Sequence, residues 1–233
     1  MPNIKRHDPG GEGDVEAFLA RVRDMPPPAT GGGKGRLVLA MDATMSRQHS
    51  WDMALSIQGD MFAEAGRVGG LDVQLVYFRG FNECRASMWT PDTAVLARLM
   101  SGIRCRGGHT QIGRVLKHLK GEAAAGKVNA CIYIGDALEE AIDPLAQLAG
   151  EIGLIGIPVF MFQEGRDPAA EAGFREIARL TRGAYFRFGS DAAKILRELL
   201  AAVAVYAAGG FTALEDHSAR RGGAAALLLG QMK

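Results

Sequence analysis

The sequence predicts an α/β protein: a doubly wound, mainly parallel six-stranded sheet with one short antiparallel edge strand and helices on both faces. Three observations predict it. Leu37-Val38-Leu39-Ala40-Met41, Ala130-Cys131-Ile132-Tyr133-Ile134 and Ile157 to Phe162 are short, continuous apolar runs, the pattern of strands buried on both faces. The segments between them carry apolar residues at helical spacing. Strand and helix alternate about six times, which requires crossover connections and hence parallel pairing.

Residues 1–35 read as an N-terminal appendage. Asp14 can cap a short helix whose apolar face is Val15, Phe18, Leu19 and Val22; Pro26-Pro27-Pro28 stop it and Gly31-Gly32-Gly33 make a flexible join. This helix is expected to pack on the neighbouring domain. A domain over 36–207 follows. Its first strand runs into Asp42, and a helix then carries Ala54, Ile57, Met61, Phe62 and Ala65 on one stripe. Val73 to Phe78 is the second strand, and Cys84 to Trp89 suits a short edge strand reached by a turn near Gly80. Ile112, Val115, Leu116 and Leu119 give the next helix; Ala130 to Ile134 is a buried strand ending at Gly135-Asp136. A helix marked by Leu145, Leu148, Ala149 and Ile152 leads to the strand Ile157 to Phe162, with Pro158 at its tolerant start. Ile177, Ala178 and Thr181 belong to another helix, Ala184 to Phe188 to a short strand, and Ile195, Leu196, Leu199 and Val203 to the last long helix. Residues 208–233 read as a C-terminal tail whose apolar end tucks onto the domain. Met45, Met53 and Met61 are expected in or near the core.

Composition excludes several classes. With 27 Lys+Arg against 26 Asp+Glu, the formal net charge is +1, which argues against affinity founded on a phosphate backbone or an acidic membrane. Three cysteines, Cys84, Cys105 and Cys131, form no CxxC pair, against a disulfide scaffold or structural zinc site and for a reducing compartment. Cys105 lies between Arg104 and Arg106, which can lower a thiol pKa; a loop residue without a role is the default there. Met1 to Asp24 has no continuous apolar stretch of the signal-peptide kind. The run Ala224 to Leu229 is far below the ~20 residues of a spanning helix. The expected location is the cytoplasm. Gly31 to Gly35 precedes a strand and lacks the Gly-Lys-Ser/Thr order of a phosphate loop.

In parallel sheets, sites form at the carboxyl ends of strands, in the crevice where strand order reverses. Asp42 and Asp136 stand at two such ends. An Asp there commonly just caps the next helix, but Asp42-Ala43-Thr44-Met45-Ser46 adds two hydroxyls at alternate positions, and Thr110 follows Gly107-Gly108-His109 at a helix start. Five hard oxygen donors without Cys or obligatory His suit Mg²⁺, or Mn²⁺, and disfavour zinc.

These residues resemble the metal-ion-dependent adhesion site (MIDAS) of von Willebrand factor A domains, the family that includes integrin inserted domains. The resemblance spans roughly Arg36 to Ala207 in motif order and element succession. It departs from the family pattern in Thr44, which replaces the middle Ser, in His109, inserted between the Gly pair and Thr110, and in Ala137, where Gly is more usual. By the resemblance, Ser46, Thr44 and Thr110 bind the metal directly or nearly so, and Asp42 and Asp136 act wholly or partly through water. A partner's Asp or Glu then fills the open position. The resemblance implies a metal-dependent protein-interaction module, not an enzyme, working with an ATPase or another subunit of an intracellular assembly; the balanced charge argues against nucleic acid or membrane as partner.

His109, Arg47 and Trp51 are candidate rim contacts for that partner, with loop placement or helix packing as their plain alternatives. Glu139 and Glu140 either add charge near the metal or start a solvated helix. The enzymatic alternative is a Mg²⁺-dependent phosphohydrolase or phosphotransferase using a strand-end Asp. Thr44 stands where the common phosphatase pattern needs a second Asp. RNA binding, known for some relatives, lacks aromatic-basic interleaving here.

Overall fold

The computed structural model describes residues 34–45, 48–189 and 193–221. The expected N-terminal helix and its Pro/Gly linker, the segment beyond Arg221, and Ser46 and Arg47 lie outside the described residues. In chain order the elements are β1 (Gly35–Asp42), α1 (Gln48–Gly66), β2 (Leu71–Arg79), β3 (Glu83–Ala86), α2 (Thr93–Ser101), α3 (Ile112–Ala125), β4 (Ala130–Gly135), α4 (Ile142–Ile155), β5 (Val159–Glu164), α5 (Pro168–Leu180), β6 (Tyr185–Phe188) and α6 (Ala193–Arg221).

The strands form one six-stranded sheet in the order β3-β2-β1-β4-β5-β6. Every neighbouring pair is parallel except β2 with the edge strand β3. The expected fold class is therefore observed, and the strand order reverses between β1 and β4. Alternation along β1 divides the core. Leu37, Leu39 and Met41 face α1, α2 and α6, together with Trp51, Ile57, Met61, Leu96 and Val203. Val38 and Ala40 face the other layer, where Val115, Leu119, Ala149, Phe174 and Ile177 come from α3, α4 and α5. Each large apolar side chain so buried contributes about 1.5–3 kcal/mol, so a one-residue slip that exchanged the faces is strongly disfavoured.

Three details differ from the sequence reading. Helix α2 was not expected. It is short, and its start is set by Asp92, whose carboxylate accepts from Ala94 N at 2.7 Å and Val95 N at 3.4 Å, while Leu96 and Met100 are buried beneath it. Met53 and Met61 are buried as expected, but Met45 is 70% exposed because it sits in the turn that leaves β1. The last helix continues past residue 207 to Arg221, kinked at Gly210 where φ is 76°. Beyond the kink, His217 Nδ1 lies 3.4 Å from the buried carboxylate of Glu64 on α1. No helix among the described residues is long and apolar enough to cross a membrane.

Helix α6 reaches β1 at its first residue. A Cβ on Gly35 would stand 2.2 Å from the Ala207 carbonyl oxygen, a backbone atom that cannot swing aside. Gly35→Ala is expected to lower stability by about 1–3 kcal/mol through this overpacking. The check is a urea midpoint that falls while the denaturant slope is unchanged.

Candidate functional site

Asp42 ends β1. Met41 pairs with Ile134, so Asp42 and Asp136 emerge from adjacent parallel strands at the same end of the sheet, with strand axes about 4.8 Å apart. Asp42 is 3% exposed and Asp136 half-buried. The Asp42 Oδ1 atom accepts the Thr44 N–H at 2.7 Å, an Asx turn that bends the chain off the strand. Thr44 is itself buried.

Thr110 arrives from the loop between α2 and α3, which is pinned in several places. Arg106 N donates to Ala43 O at 3.0 Å, and His109 N donates to Gly80 O at 3.1 Å. Gln111 Nε2 donates to Arg79 O and Gly80 O at 3.2 and 3.3 Å. The glycines serve this approach. Gly80 turns the chain at φ 59°, and a Cβ on Gly108 would stand 2.2 Å from the Gly80 oxygen, so only glycine fits at 108.

The loop after β4 closes the arrangement. Thr110 N donates to Glu139 Oε2 at 2.8 Å, and Glu139 N donates back to Thr110 Oγ1 at 3.0 Å. His109 Nδ1 lies 3.1 Å from the same carboxylate oxygen. The Thr110 N–H, with His109 beside it, holds the Glu139 carboxyl below its usual range. Glu140 accepts from Ile112 N, and from Gly113 N at 2.9 Å. It thereby caps α3, whose own N-cap residue Gln111 makes no side-chain cap, where the helix dipole favours a negative charge. Neither glutamate is a merely solvated helix start.

Three loops therefore meet at the switch point and bring Asp42, Thr44, Thr110 and Asp136 to one end of the sheet. Ser46 and Arg47 lie outside the described residues. Trp51 is not at a rim: it is 1% exposed, its Nε1 donates to Met100 O at 3.0 Å, and it meets the Tyr77 ring edge-on. It continues the buried stripe of Ala54 and Met61 at helical spacing, which is why it turns inward. His109 is on the surface, 60% exposed, against the ring of Phe81, itself 71% exposed. Phe81 and the cross-loop bonds of Glu139 and Glu140 were not anticipated. An apolar residue in a Gly-Phe-Asn turn is the signal for Phe81.

Among the described residues no three His, Cys, Asp or Glu side chains group so as to hold a metal by themselves. The donor set that does gather, two carboxylates and hydroxyls, is of the oxygen type that Mg²⁺ takes. A hydroxyl has two lone pairs. Thr110 Oγ1 commits one to Glu139 N, which leaves chemistry of the right kind for a cation.

No protein-family model matches the sequence, and no curated protein matches it. Solved structures do match in fold. A von Willebrand factor type A structure from Catenulispora acidiphila aligns at 17% identity over 74% of this chain and 43% of its own, with a TM-score of 0.59. The VWA domain of SpRpn10 aligns at 12% identity over 76% of this chain and 97% of its own, TM-score 0.55. Proximal thread matrix protein 1 from the mussel byssus, in a structure with a zinc-occupied MIDAS motif, aligns at 13% identity over 74% of this chain and 46% of its own, TM-score 0.58. The chain thus spans under half the length of the first and third. It has the von Willebrand factor A fold.

The turn beneath the site is held by Arg79, whose Nε and Nη2 both donate at 3.0 Å to the Glu83 carboxylate. That guanidinium keeps the Glu83 carboxyl below its ordinary value of 4.5. A depressed carboxyl stabilises the fold above its unfolded pKa, and the contribution is lost as pH falls through the lower folded value. Glu83→Gln is therefore expected to unfold at lower urea than the native chain at neutral pH, and the two midpoints are expected to converge as pH falls below the lowered Glu83 value.

Proposed function

We propose that this chain is a metal-dependent protein-interaction module, with Asp42, Thr44, Ser46, Thr110 and Asp136 holding a Mg²⁺ or Mn²⁺ ion and an Asp or Glu of a partner protein completing the site. The observation that carries this reading is the reciprocal Thr110–Glu139 pair, which ties the hydroxyl-bearing loop to the loop of Asp136 beside the buried Asp42. When bound, a divalent cation with neutral hydroxyl ligands keeps incompletely offset charge and accepts a further carboxylate oxygen.

The chain's own residues do the rest. The Asx turn at Asp42 holds Thr44 at the mouth, and the Gly80–Gly108 contact sets the height of Thr110. Glu139 and Glu140 are turned to the backbone N–H groups at the start of α3, and we assign the cation to Asp42 and Asp136 at the strand ends. With Thr44 in place of a second strand-end Asp, no side chain at that position supplies the acid and base of a phosphohydrolase. Binding without turnover is the reading this supports. The cytoplasm, and an ATPase or other assembly subunit as partner, follow from the family resemblance and belong to the same proposal.

Ligand binding to the folded state raises stability by RT ln(1 + [L]/Kd), about 1.4 kcal/mol at ten times Kd, or roughly 3–6 °C in Tm for a chain of this size. Millimolar Mg²⁺ is expected to give such a rise, and Asp42→Ala or Thr110→Ala to abolish it. Melting that is the same in Mg²⁺ and EDTA overturns the proposal. Release of phosphate from a generic phosphate ester, lost in Asp42→Ala, would replace it with the enzymatic reading.

A further inference from the structure

We propose that the face around this site takes an acidic protein segment, two or more Asp or Glu residues beside a large apolar residue, on a lip formed by Arg104, Arg106, Phe81 and His109. The proposal rests on the metal-module reading above and names the class of partner for it.

The loop from Ile103 to Gln111 presents the two arginines. Arg79 Nη1 donates to Arg104 O at 2.6 Å and Arg106 N donates to Ala43 O at 3.0 Å, so both residues are held by their backbones next to the strand end of Asp42. Cys105 between them is buried in the core with α1 and α2, whereas Arg104 and Arg106 are exposed. An inward anchor with outward neighbours turns both guanidinium groups to solvent.

The arginines of the neighbouring β2, β3 and α3 are committed. Arg79 and Arg85 pair with Glu83, and Arg114 bonds Asn82 through both its terminal nitrogens. Among the described residues, the guanidinium groups of Arg104 and Arg106 take part in no ion pair or hydrogen bond. Neither Glu139 nor Glu140 forms an ion pair with them: Glu139 accepts from Thr110 N beside His109, and Glu140 from the start of α3.

The unpaired guanidinium groups then select the ligand. Two aspartates and a divalent cation sum formally to zero, and Glu139 and Glu140 add negative charge that backbone N–H groups do not cancel, so attraction for any acid beyond the coordinating one rests on direct pairing with Arg104 and Arg106. Arg is also the residue that meets a carboxylate with two parallel N–H donors. Phe81, 71% exposed and edge-on to His109 at 5.0 Å, adds an aromatic surface of the type that anchors interfaces. A nucleic acid needs a run of cations along its backbone. Two unpaired arginines on one short loop fit a short acidic segment better.

The test uses the full chain and fluorescein-labelled Gly-Ser peptides followed by anisotropy, in millimolar Mg²⁺ and in EDTA. The first peptide carries a lone Asp, the second Asp-Glu-Glu, the third Asp-Glu-Glu-Leu, and a single-stranded oligonucleotide of matched charge is the comparison. Affinity is expected to rise roughly threefold to tenfold from the first to the second, a gain that shrinks as salt rises. It is expected to rise again with the third. The Arg104→Ser/Arg106→Ser double variant is expected to erase the first gain while leaving the lone-Asp peptide unchanged, and Phe81→Ser to erase only the second.

A gain that survives when binding is indifferent to EDTA supports the lip and overturns the metal reading alone. Mg²⁺-dependent binding of the lone Asp with no arginine-dependent gain overturns the lip alone. Arginine-dependent binding of the oligonucleotide tighter than that of Asp-Glu-Glu overturns the protein segment in favour of nucleic acid. Failure of the three-acid peptides to bind at all also overturns the proposal.

Discussion

The carboxyl end of this protein depends on β1 having parallel partners on both sides. Gly35 through Asp42 pair in register with Leu71 through Phe78, and Leu37 through Met41 pair with Ala130 through Ile134. Leu37, Leu39 and Met41 fill one core while Val38 and Ala40 fill the other. The strand therefore has no alternative height or face, and Asp42 is delivered beside the end of β4 by packing alone. Order extends one residue beyond it, because Ala43 N donates to Phe78 O at 2.9 Å and Ala43 O accepts from Arg106 N. A buried carboxylate at the end of such a strand is an unusual place to put charge, and its position is set by hydrophobic packing that has nothing to do with ligands.

What the sheet does for Asp42, ionic capping does for the loops. Glu139 and Glu140 belong to one loop, yet each bonds backbone N–H groups of the segment that begins α3. Glu140 satisfies donors that the first turn of α3 leaves unpaired, Glu139 takes the N–H of Thr110 just ahead of that turn, and each bond also fixes one loop against another. Sites built from loops lose affinity when the loops must be ordered on binding. Here the ordering is done beforehand by a rigid scaffold and charged caps.

The strands were legible because burial on both faces writes an uninterrupted apolar run, and Asp42 and Asp136 were legible because each breaks such a run. Helix α2 was overlooked for want of length, although Asp92 with Leu96 and Met100 four residues apart spells its cap and inner face. Of the two readings of Trp51, rim contact and helix packing, its spacing to Ala54 and Met61 on the buried stripe selects packing. The roles of Glu139 and Glu140 had no local signal at all, since their partners lie 27 to 29 residues away in the chain and only the strand order brings them together.

Near-zero net charge hides a division of labour among the arginines at this end. Arg79 is mostly buried and gives its charge to Glu83, then uses its remaining nitrogen on the carbonyl of Arg104. In that role it acts as a structural clamp, and its charge is cancelled where it stands. Arg104, held by that clamp through its backbone alone, keeps its own side chain for the solvent. Arg106 repeats the arrangement with Ala43 as the anchor, and Cys105 between them is the apolar pin. The clamp is one of several anchors of the loop that carries both exposed cations together with His109 and Thr110. The acid-recognising lip and the candidate metal site thus share one support, and the charge that holds the support is not the charge that meets the ligand.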